Sequence, residues 1–345
     1  MSCFLFITQG EVEEKLSIVV YQQIKNFRPE VKIFFFTLDE PGRWQKKGLA
    51  EIETKDHSLW YSIPGLKKQA TIYHALKRRR KFTEEIVLWS DNPFFLLPLF
   101  LLTGKKAIFV PVVKNLKFSL SFWHIAFLRF FSSVVLTTDR ELVHNLRQKN
   151  IPAYFVGNLL ADLLPPSEFL FLHGEKPIYA LFPREEKFSS DLKFFLDLVE
   201  RIFTDTKAYF ISAIPGKIKT AEIANVGEEK GWRWRKSLEG DIIEGYLERG
   251  ELYLNLTRFR EEALWQSDLV VSPDDFSIIQ ATGIGKKVLP VSNLNPEEAT
   301  LLLRSPQHLF EYNQLISSRY GRKGGIEKIS AYLLQGVVKD QNFLK

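Results

Sequence analysis

The chain has 345 residues, of which 45% are hydrophobic and 26% are charged, a balance typical of folded globular proteins and unlike that of disordered ones. Its length favours two domains over a single core. Cys3 is the only cysteine, which excludes a disulfide framework and a thiolate metal site and is typical of proteins of the reducing cytoplasm.

The formal net charge is +6, and the densest basic run is KRRRK at 77–81. This run lacks the interleaved aromatic residues of a nucleic-acid site, so no nucleic acid is expected as a partner. A solvated helix end and attraction to an anionic membrane surface both remain open for it. No segment has 18 uninterrupted apolar residues and the first residues lack a basic region, so we expect neither a spanning helix nor a signal peptide.

Short apolar runs alternate with helical patterns through the first half of the chain. The first run, 3–7, precedes a helical pattern whose apolar face contains Leu16, Val19, Val20 and Ile24. Further strands are predicted at 31–36, 85–89, 107–110 and 133–137. Near-continuous apolar strands separated by helices are typical of a parallel sheet covered on both faces. We therefore predict a doubly wound α/β domain over residues 1–164.

The same alternation begins again after residue 176. Strands are predicted at 178–182, 208–211, 252–254, 268–271 and 287–291, and helices at about 190–203, at 260–265 and from Asp275 onward. The segment 164–174 contains two prolines and few periodic apolar positions, as linkers do. The second predicted domain is 165–345, and its last helix, at about 326–338, is expected to pack back on the body of the protein.

Four stretches of the sequence, in this order, resemble the lipid-A-disaccharide synthases and the proteins related to them. They are Gly10-Glu11, the segment WSDNPF at 89–94, the segment 155–165, and the segment 265–272 with its continuation to QATGIGK at 280–286. The third is similar to the family's Phe-(Ile/Val)-Gly-His-x-(Leu/Met)-Ala-Asp sequence, with Asn158 in place of the histidine. Together the four stretches span most of the chain.

The resemblance implies an α/β protein of the GT-B fold, in which two Rossmann-like domains face a cleft. It further implies an inverting, metal-independent transfer of a sugar from a UDP-sugar to a lipid-linked or amphiphilic acceptor, without a cofactor. The N-terminal domain would face the acceptor and the inner face of the cell membrane, and the C-terminal domain would bind the nucleotide sugar. Gly157 and Asn158 would lie at the hinge and the floor of the cleft.

Asp91 is the candidate catalytic base. It directly follows a predicted buried strand, at the carboxyl end where open α/β sheets bind their ligands, and glycosyl transfer needs a base for the acceptor hydroxyl. The family has a catalytic aspartate at the matching position. The alternative is that Asp91 only caps the helix that begins at Pro93. Gly10, Glu11 and Asn92 are the other predicted acceptor-side residues.

The predicted donor side departs most from the family. The resemblance implies that the UDP phosphates lie at the start of the helix after strand 268–271, where the family has a glycine-rich turn. This chain instead has Asp274 and Asp275 there, and either could simply cap the helix. The predicted donor-binding residues are Arg184, Arg258, Ser272, Asp274, Asp275, Ser277 and Gln280. The family's Pro-Gly-Ser-Arg turn lacks its Gly-Ser here, because Arg184 directly follows Pro183; Arg258 and Arg260 could compensate, and each of the three arginines could instead be a surface residue.

Two segments of the first half, 94–102 and 118–131, are unusually rich in Phe, Leu and Trp. A buried core and a surface for an amphiphilic acceptor at the membrane both account for them. The six histidines lack the spacing of a metal site, so no metal is expected. Two alternatives to the transferase remain: a non-catalytic GT-B protein that has lost donor turnover, and a sugar-nucleotide epimerase on the same fold.

Overall fold

The computed structural model describes residues 3–37, 84–116, 119–167, 176–203, 208–237 and 242–335. The basic run at 77–81 lies outside the described residues. The chain divides into two compact units. The first contains the described residues up to Val113, those from 119 to Leu159 and those from Gly324 onward, and the second contains Lys114–Leu116 and the described residues from Leu160 to Lys323.

The first unit is built on six strands and five helices within the described residues. Its strands are β1 (Cys3–Thr8), β2 (Lys32–Thr37), β3 (Glu85–Trp89), β4 (Ala107–Val110), β5 (Ser132–Thr137) and β6 (Ala153–Phe155). Its helices are α1 (Glu11–Phe27), α2 (Leu96–Thr103), α3 (Phe122–Phe131), α4 (Arg140–Gln148) and, near the end of the chain, α12 (Gly325–Gln335). The 3-10 turn Pro93–Phe95 leads into α2.

The six strands of the first unit form one all-parallel sheet in the order β2-β1-β3-β4-β5-β6. All six residues of β1 and all four of β4 are buried, as a sheet covered on both faces requires. The structure confirms the five strands predicted in this half, and each end lies within one residue of its predicted position. The strand order reverses between β1 and β3, which makes the carboxyl ends of these two strands the switch point of the sheet.

The second unit contains seven strands and seven helices within the described residues. Its strands are β7 (Ile178–Leu181), β8 (Tyr209–Ala213), β9 (Arg233–Lys236), β10 (Ile243–Arg249), β11 (Leu252–Thr257), β12 (Leu269–Ser272) and β13 (Lys287–Pro290). Its helices are α5 (Leu159–Asp162), which begins at the division, α6 (Phe188–Phe203), α7 (Thr220–Glu229), α8 (Arg260–Gln266), α9 (Asp275–Gly283), α10 (Pro296–Leu303) and α11 (Pro306–Tyr320).

The second sheet has the order β13-β12-β7-β8-β11-β10-β9. Its first five strands are parallel, and β9 and β10 extend it in antiparallel pairing. The order reverses between β7 and β12, so the switch point lies beyond Leu181 and Ser272. The core of this unit includes the buried face of α6, with Phe188, Phe195 and Val199.

The last described helix, α12, belongs to the first unit, where it packs on α1. The main-chain division falls between Leu159 and Leu160, five residues before the expected boundary after residue 164. It lies one residue after Asn158, and the preceding Gly157 has a φ of 111°, a left-handed conformation that favours glycine. Among the described residues, no helix is both long and apolar enough to cross a membrane.

Candidate functional site

The switch point of the first sheet brings the predicted acceptor-side residues together. Thr8 and Trp89 are partners at the ends of β1 and β3, and the Gln9 amide donates to the Trp89 carbonyl (2.9 Å). The Ser90 hydroxyl donates to Gln9 Oε1 (2.6 Å), which fixes the two strand ends to each other. Gly10-Glu11 and Asp91-Asn92 are the next residues of these two strand ends.

Gly10 makes the turn from β1 into α1. Its φ of 101° is in the left-handed region, and as the N-cap residue it provides no side-chain hydrogen bond to the helix. Glu11, the first residue of α1, is exposed and forms an ion pair with Lys15 (3.3 Å), one helical turn further on. The glycine is therefore required by the backbone, and the glutamate carboxylate lies at the surface of the switch point.

Asn92, and not Asp91, caps the helical turn that follows β3. Asn92 Oδ1 accepts a hydrogen bond from the Phe94 amide (3.0 Å), and Pro93 occupies the first helical position. The capping alternative for Asp91 is therefore wrong. Asp91 is exposed and forms no hydrogen bond or ion pair with any residue that the structure describes. Its carboxylate is available to a ligand.

The switch point of the second sheet contains several of the predicted donor-side residues, which hydrogen-bond to one another. Asp274 caps α9: its carboxylate accepts from the amides of Phe276 (3.2 Å) and Ser277 (3.1 Å) and from the Ser277 hydroxyl (2.6 Å). Ser272 Oγ accepts from the Asp274 amide (3.0 Å) and donates to the Phe182 carbonyl (2.8 Å) at the end of β7. The capping interpretation of Asp274 is confirmed.

Arg184 follows β7 and is held by the buried carboxylate of Asp191 on α6. Its backbone amide (2.9 Å), Nε (2.9 Å) and Nη2 (2.6 Å) all donate to that carboxylate. The hydrogen bonds from Arg184 to Asp191 raise the pKa of the arginine further above its ordinary value. In the described conformation the Arg184 guanidinium is therefore paired with a carboxylate of its own unit.

Arg258 is also paired within the second unit. It donates to Glu244 on β10 through Nε (2.6 Å) and to the Pro215 carbonyl through Nη1 (2.7 Å). Its hydrogen bonds lower the pKa of Glu244 below the ordinary range. These contacts pair Arg258 with β10 and with the segment after β8, and among the described residues it has no contact with Asp274.

Arg260 is the arginine that lies at this switch point. Its Nη2 donates to Ser277 Oγ (2.7 Å) and is 3.9 Å from an Asp274 carboxylate oxygen, and its guanidinium lies over the rings of Phe182 (5.2 Å) and Phe276 (5.5 Å). The sequence contains both Arg258 and Arg260 directly after β11, and nothing in their spacing distinguishes the two. Only their tertiary contacts show that Arg260, and not Arg258, lies at this switch point.

Asp275 and Gln280, both on α9, bind main-chain groups of other segments of the second unit. Asp275 Oδ2 accepts from the Leu116 amide (3.0 Å), and Gln280 Nε2 donates to the Leu160 carbonyl (3.1 Å). Asn158 is fully buried at the end of the first unit. The contacts of Asp275 and Gln280 give these two side chains structural roles.

The aromatic segments of the first unit are divided between core and surface. Leu96, Leu99 and Leu128 are buried in the core, as one interpretation predicted, but Leu128 is the only buried residue of the ten in α3. The large apolar side chains exposed here are Phe94 (42%), Leu101 (71%), Phe122 (77%), Trp123 (65%) and Phe130 (63%). We call these five residues the aromatic surface. Phe94 connects it to the segment of Asp91, because its ring packs edge-on against Phe127 of α3 (4.8 Å between centroids).

Within the described parts of the chain, no group of three or more His, Cys, Asp and Glu side chains is arranged to hold a metal ion. The described histidines lie apart, on α3, α4 and α11. The geometry therefore consists of two switch points, one with an available carboxylate and one with paired charges around a helix N-terminus.

No protein-family model and no curated protein matches the sequence. Solved structures match over the whole chain. A Listeria monocytogenes protein described as a UDP-N-acetylglucosamine 2-epimerase has a TM-score of 0.62 at 11% identity, covering 99% of this chain and 98% of its own. CalG4, the calicheamicin glycosyltransferase, has a TM-score of 0.60 at 12% identity, with 99% and 100% covered.

The Neisseria meningitidis UDP-GlcNAc 2-epimerase, in a structure bound to UDP-GlcNAc, has a TM-score of 0.56 at 11% identity and covers 98% of this chain and 100% of its own. These similarities confirm the predicted fold class: the chain has two α/β units with largely parallel sheets and the GT-B fold. The structural neighbours include both glycosyltransferases and epimerases. At such low identity the likeness extends to the fold alone.

Proposed function

We propose that the chain is a glycosyltransferase that moves a sugar from a UDP-sugar to an amphiphilic acceptor. The observation that carries the proposal is Asp91, an exposed carboxylate without a described partner at the switch point of the first sheet. In the reaction, Asp91 takes the proton of an acceptor hydroxyl while that oxygen attacks the anomeric carbon. The bond from this carbon to the diphosphate breaks, and its electron pair leaves with UDP, which inverts the configuration.

The second unit is the proposed donor-binding unit. Its switch point offers Arg260, whose guanidinium lies beside the N-terminus of α9. Two structural neighbours support a UDP-sugar as the ligand, since one was solved with UDP-GlcNAc and another is described as a UDP-N-acetylglucosamine epimerase. The departure from this pattern is Asp274, whose carboxylate already accepts the first amides of the helix.

Thermal unfolding in the presence of UDP and UDP-GlcNAc tests donor binding. A ligand that binds only the folded state stabilises it by about 2.7 kcal/mol at a concentration of 100 Kd. We expect a melting temperature that rises with the concentration of either nucleotide. A melting temperature that stays constant up to millimolar UDP would contradict the enzyme proposal and favour the non-catalytic alternative, which the pairing of Arg184, Arg258 and Asp274 supports.

The epimerase is the second candidate, because two of the neighbours described above are UDP-GlcNAc 2-epimerases. An epimerase changes the UDP-sugar without an acceptor, whereas a transferase releases UDP only when it has an acceptor hydroxyl. Incubation with UDP-GlcNAc alone, followed by chromatography of the nucleotide sugars, separates the two. We expect UDP-GlcNAc to be recovered unchanged. The appearance of an epimer would replace the transferase proposal.

The aromatic surface supports an acceptor that is lipid-linked and meets the enzyme at a membrane. Exposed apolar patches of this kind are a feature of proteins that bind membranes or apolar ligands. The resemblance to lipid-A-disaccharide synthases points in the same direction, to a peripheral position on the inner face of the cell membrane. The proposed partners are thus a UDP-sugar, an amphiphilic acceptor and an anionic lipid surface.

Flotation with phosphatidylglycerol vesicles tests this part of the proposal. The variant Phe122→Ser/Trp123→Ser/Phe130→Ser should lose most of its vesicle binding and keep its melting temperature, because the three side chains are exposed. The matched control is Phe310→Ser/Leu315→Ser on α11, where equally exposed side chains (61% and 67%) lie in the second unit. Equal binding by both variants and the wild type would contradict a role for the aromatic surface.

A further inference from the structure

His124 is a polar side chain within the aromatic surface that the proposed mechanism does not use. It is the third residue of α3 and completes a capping box with Ser121. The Ser121 amide donates to His124 Nδ1 (3.3 Å), and the His124 amide donates to Ser121 Oγ (3.4 Å). Because Nδ1 accepts a hydrogen bond, the neutral ring carries its proton on Nε2. The cap therefore fixes the tautomer.

The position of the ring connects His124 to the candidate base. Its centroid is 4.8 Å from that of Phe94, which is three residues after Asp91 in the turn that Asn92 caps. The imidazole is half-buried beside exposed apolar groups, among them the neighbouring Trp123. It thus places one polar N–H group in otherwise apolar surroundings next to the first switch point.

The other two described histidines are arranged differently. His144 Nε2 lies 2.8 Å from Gln148 Nε2, and His308 Nδ1 lies 2.9 Å from Ser305 Oγ. In each case the ring nitrogen that contacts a side chain does so within one turn of its own helix. For His124 this local contact uses Nδ1, and Nε2 has no partner among the residues that the structure describes.

We propose that His124 is a positioning residue for the acceptor, whose sugar head accepts a hydrogen bond from His124 Nε2–H. This inference rests on the proposed function, since it assigns the polar contact that orients the acceptor hydroxyl toward Asp91. The apolar part of the acceptor lies on the neighbouring rings. The ligand class is therefore an alkyl- or acyl-bearing sugar whose head group has oxygen acceptors.

Two variants that both keep the capping box test the proposal. Glutamate and glutamine are the preferred residues at the third position of such a box, so His124→Glu and His124→Gln should retain the helix N-terminus. Only the glutamine retains an N–H donor. The probe is decyl β-maltoside below its critical micelle concentration, measured by isothermal titration calorimetry. Decyltrimethylammonium bromide, with the same alkyl chain and no hydrogen-bond acceptor in its head group, is the control ligand.

We expect His124→Glu to weaken maltoside binding about three- to tenfold, the range of one neutral hydrogen bond, and not to weaken binding of the ammonium ligand. His124→Gln should bind the maltoside more tightly than His124→Glu, and both variants should melt at or above the wild-type temperature. Maltoside affinities equal to that of the wild type in both variants would overturn the proposal, as would an equal loss for both ligands. No nucleotide is present, so the outcome is separate from that of the UDP titration.

Discussion

In both units the strand order of the sheet reverses beside a helix N-terminus, but the polar side chains at the two switch points are used differently. In the first unit α1 begins after Gly10, which has no side chain to cap the helix, and Asp91 is exposed without a described partner. In the second unit Asp274 caps α9, and Arg184 is held by a buried carboxylate. Residues at corresponding strand ends are thus exposed without a described partner in the first unit and paired internally in the second.

The contrast between the exposed Asp91 and the paired Asp274 and Arg184 shows that a residue type at a switch point does not by itself indicate ligand binding. Arginine and aspartate are suited to phosphate and to proton transfer, but they are equally suited to each other. What separates the two cases is whether the folded unit already supplies the partner. We therefore expect substitutions at the two switch points to differ in their effects on activity and on the free energy of unfolding.

Replacing Asp91 has the largest expected effect on activity. Asp91→Asn should lower kcat for sugar transfer about 100- to 10 000-fold, since it removes the proposed general base. The free energy of unfolding should change by less than about 0.5 kcal/mol, because the side chain is exposed and has no described partner. Transfer assays with the acceptor and urea unfolding measure the two quantities. The contrasting variant is Asn92→Ala, which loses a cap and should be less stable by about 1 kcal/mol.

Replacing Arg184 should affect stability instead. Arg184→Met removes two side-chain hydrogen bonds and leaves the carboxylate of Asp191, whose side chain is only 6% exposed, without its cation. We expect a loss of about 2–4 kcal/mol in the free energy of unfolding without nucleotide. The double variant Arg184→Met/Asp191→Leu should recover part of this loss. If Arg184→Met kept full stability and only weakened UDP binding, the two switch points would be alike.

Asp274 offers a charge change that leaves its cap in place. Asparagine caps helices about as well as aspartate, so Asp274→Asn should keep α9 intact while removing the negative charge beside the proposed phosphate position. We expect UDP to bind about fivefold more tightly, corresponding to about 1 kcal/mol of relieved repulsion. Asp275→Asn is the matched control. It removes the same charge from the same helical turn, but Asp275 is not the residue that accepts hydrogen bonds from the amides of Phe276 and Ser277. Equal UDP affinity in both variants would contradict a specific effect of Asp274.

The sequence predicted the sheets better than the caps. Apolar runs such as 85–89 and 107–110 fix parallel strands, because only buried strands can be apolar on both faces. The position of Asp91 at a strand end followed directly from the strand. The cap at Asn92 could also have been predicted, since proline favours the first helical position and Pro93 therefore makes residue 92 the N-cap.

The partners of the arginines could not be predicted in the same way. Arg184 meets Asp191 because a turn returns α6 to the end of β7, and Arg258 meets Glu244 across two antiparallel strands. Both pairs depend on how separate elements pack, which residue spacing does not encode. The same holds for α12, whose apolar face fits α1 and places the helix in the first unit.

The smallest expected effect concerns the pair of Arg258 and Glu244. The hydrogen bonds from Arg258 lower the pKa of Glu244 below 4.5, its ordinary value. A carboxylate with a lowered folded-state pKa stabilises the protein above its unfolded pKa and loses that contribution as the pH falls through the folded-state pKa. Glu244→Gln should therefore be less stable than the wild type by about 0.5–1 kcal/mol at pH 7, and the difference should shrink as the pH falls below 4.5.

Urea unfolding of the wild type and of Glu244→Gln at pH 7 and at pH 3.5 measures this convergence. The matched variant is Glu248→Gln. The Glu248 carboxylate lies on the same strand as Glu244 and pairs with Arg235, which is more exposed than Arg258. A smaller difference at pH 7 is expected for it. If Glu244→Gln instead matched the wild type at both pH values, the pairing would not stabilise the second unit. Arg258 would then be free to turn toward a ligand. Only the internal pairing of Arg184 and Asp274 would then distinguish the second switch point from the first.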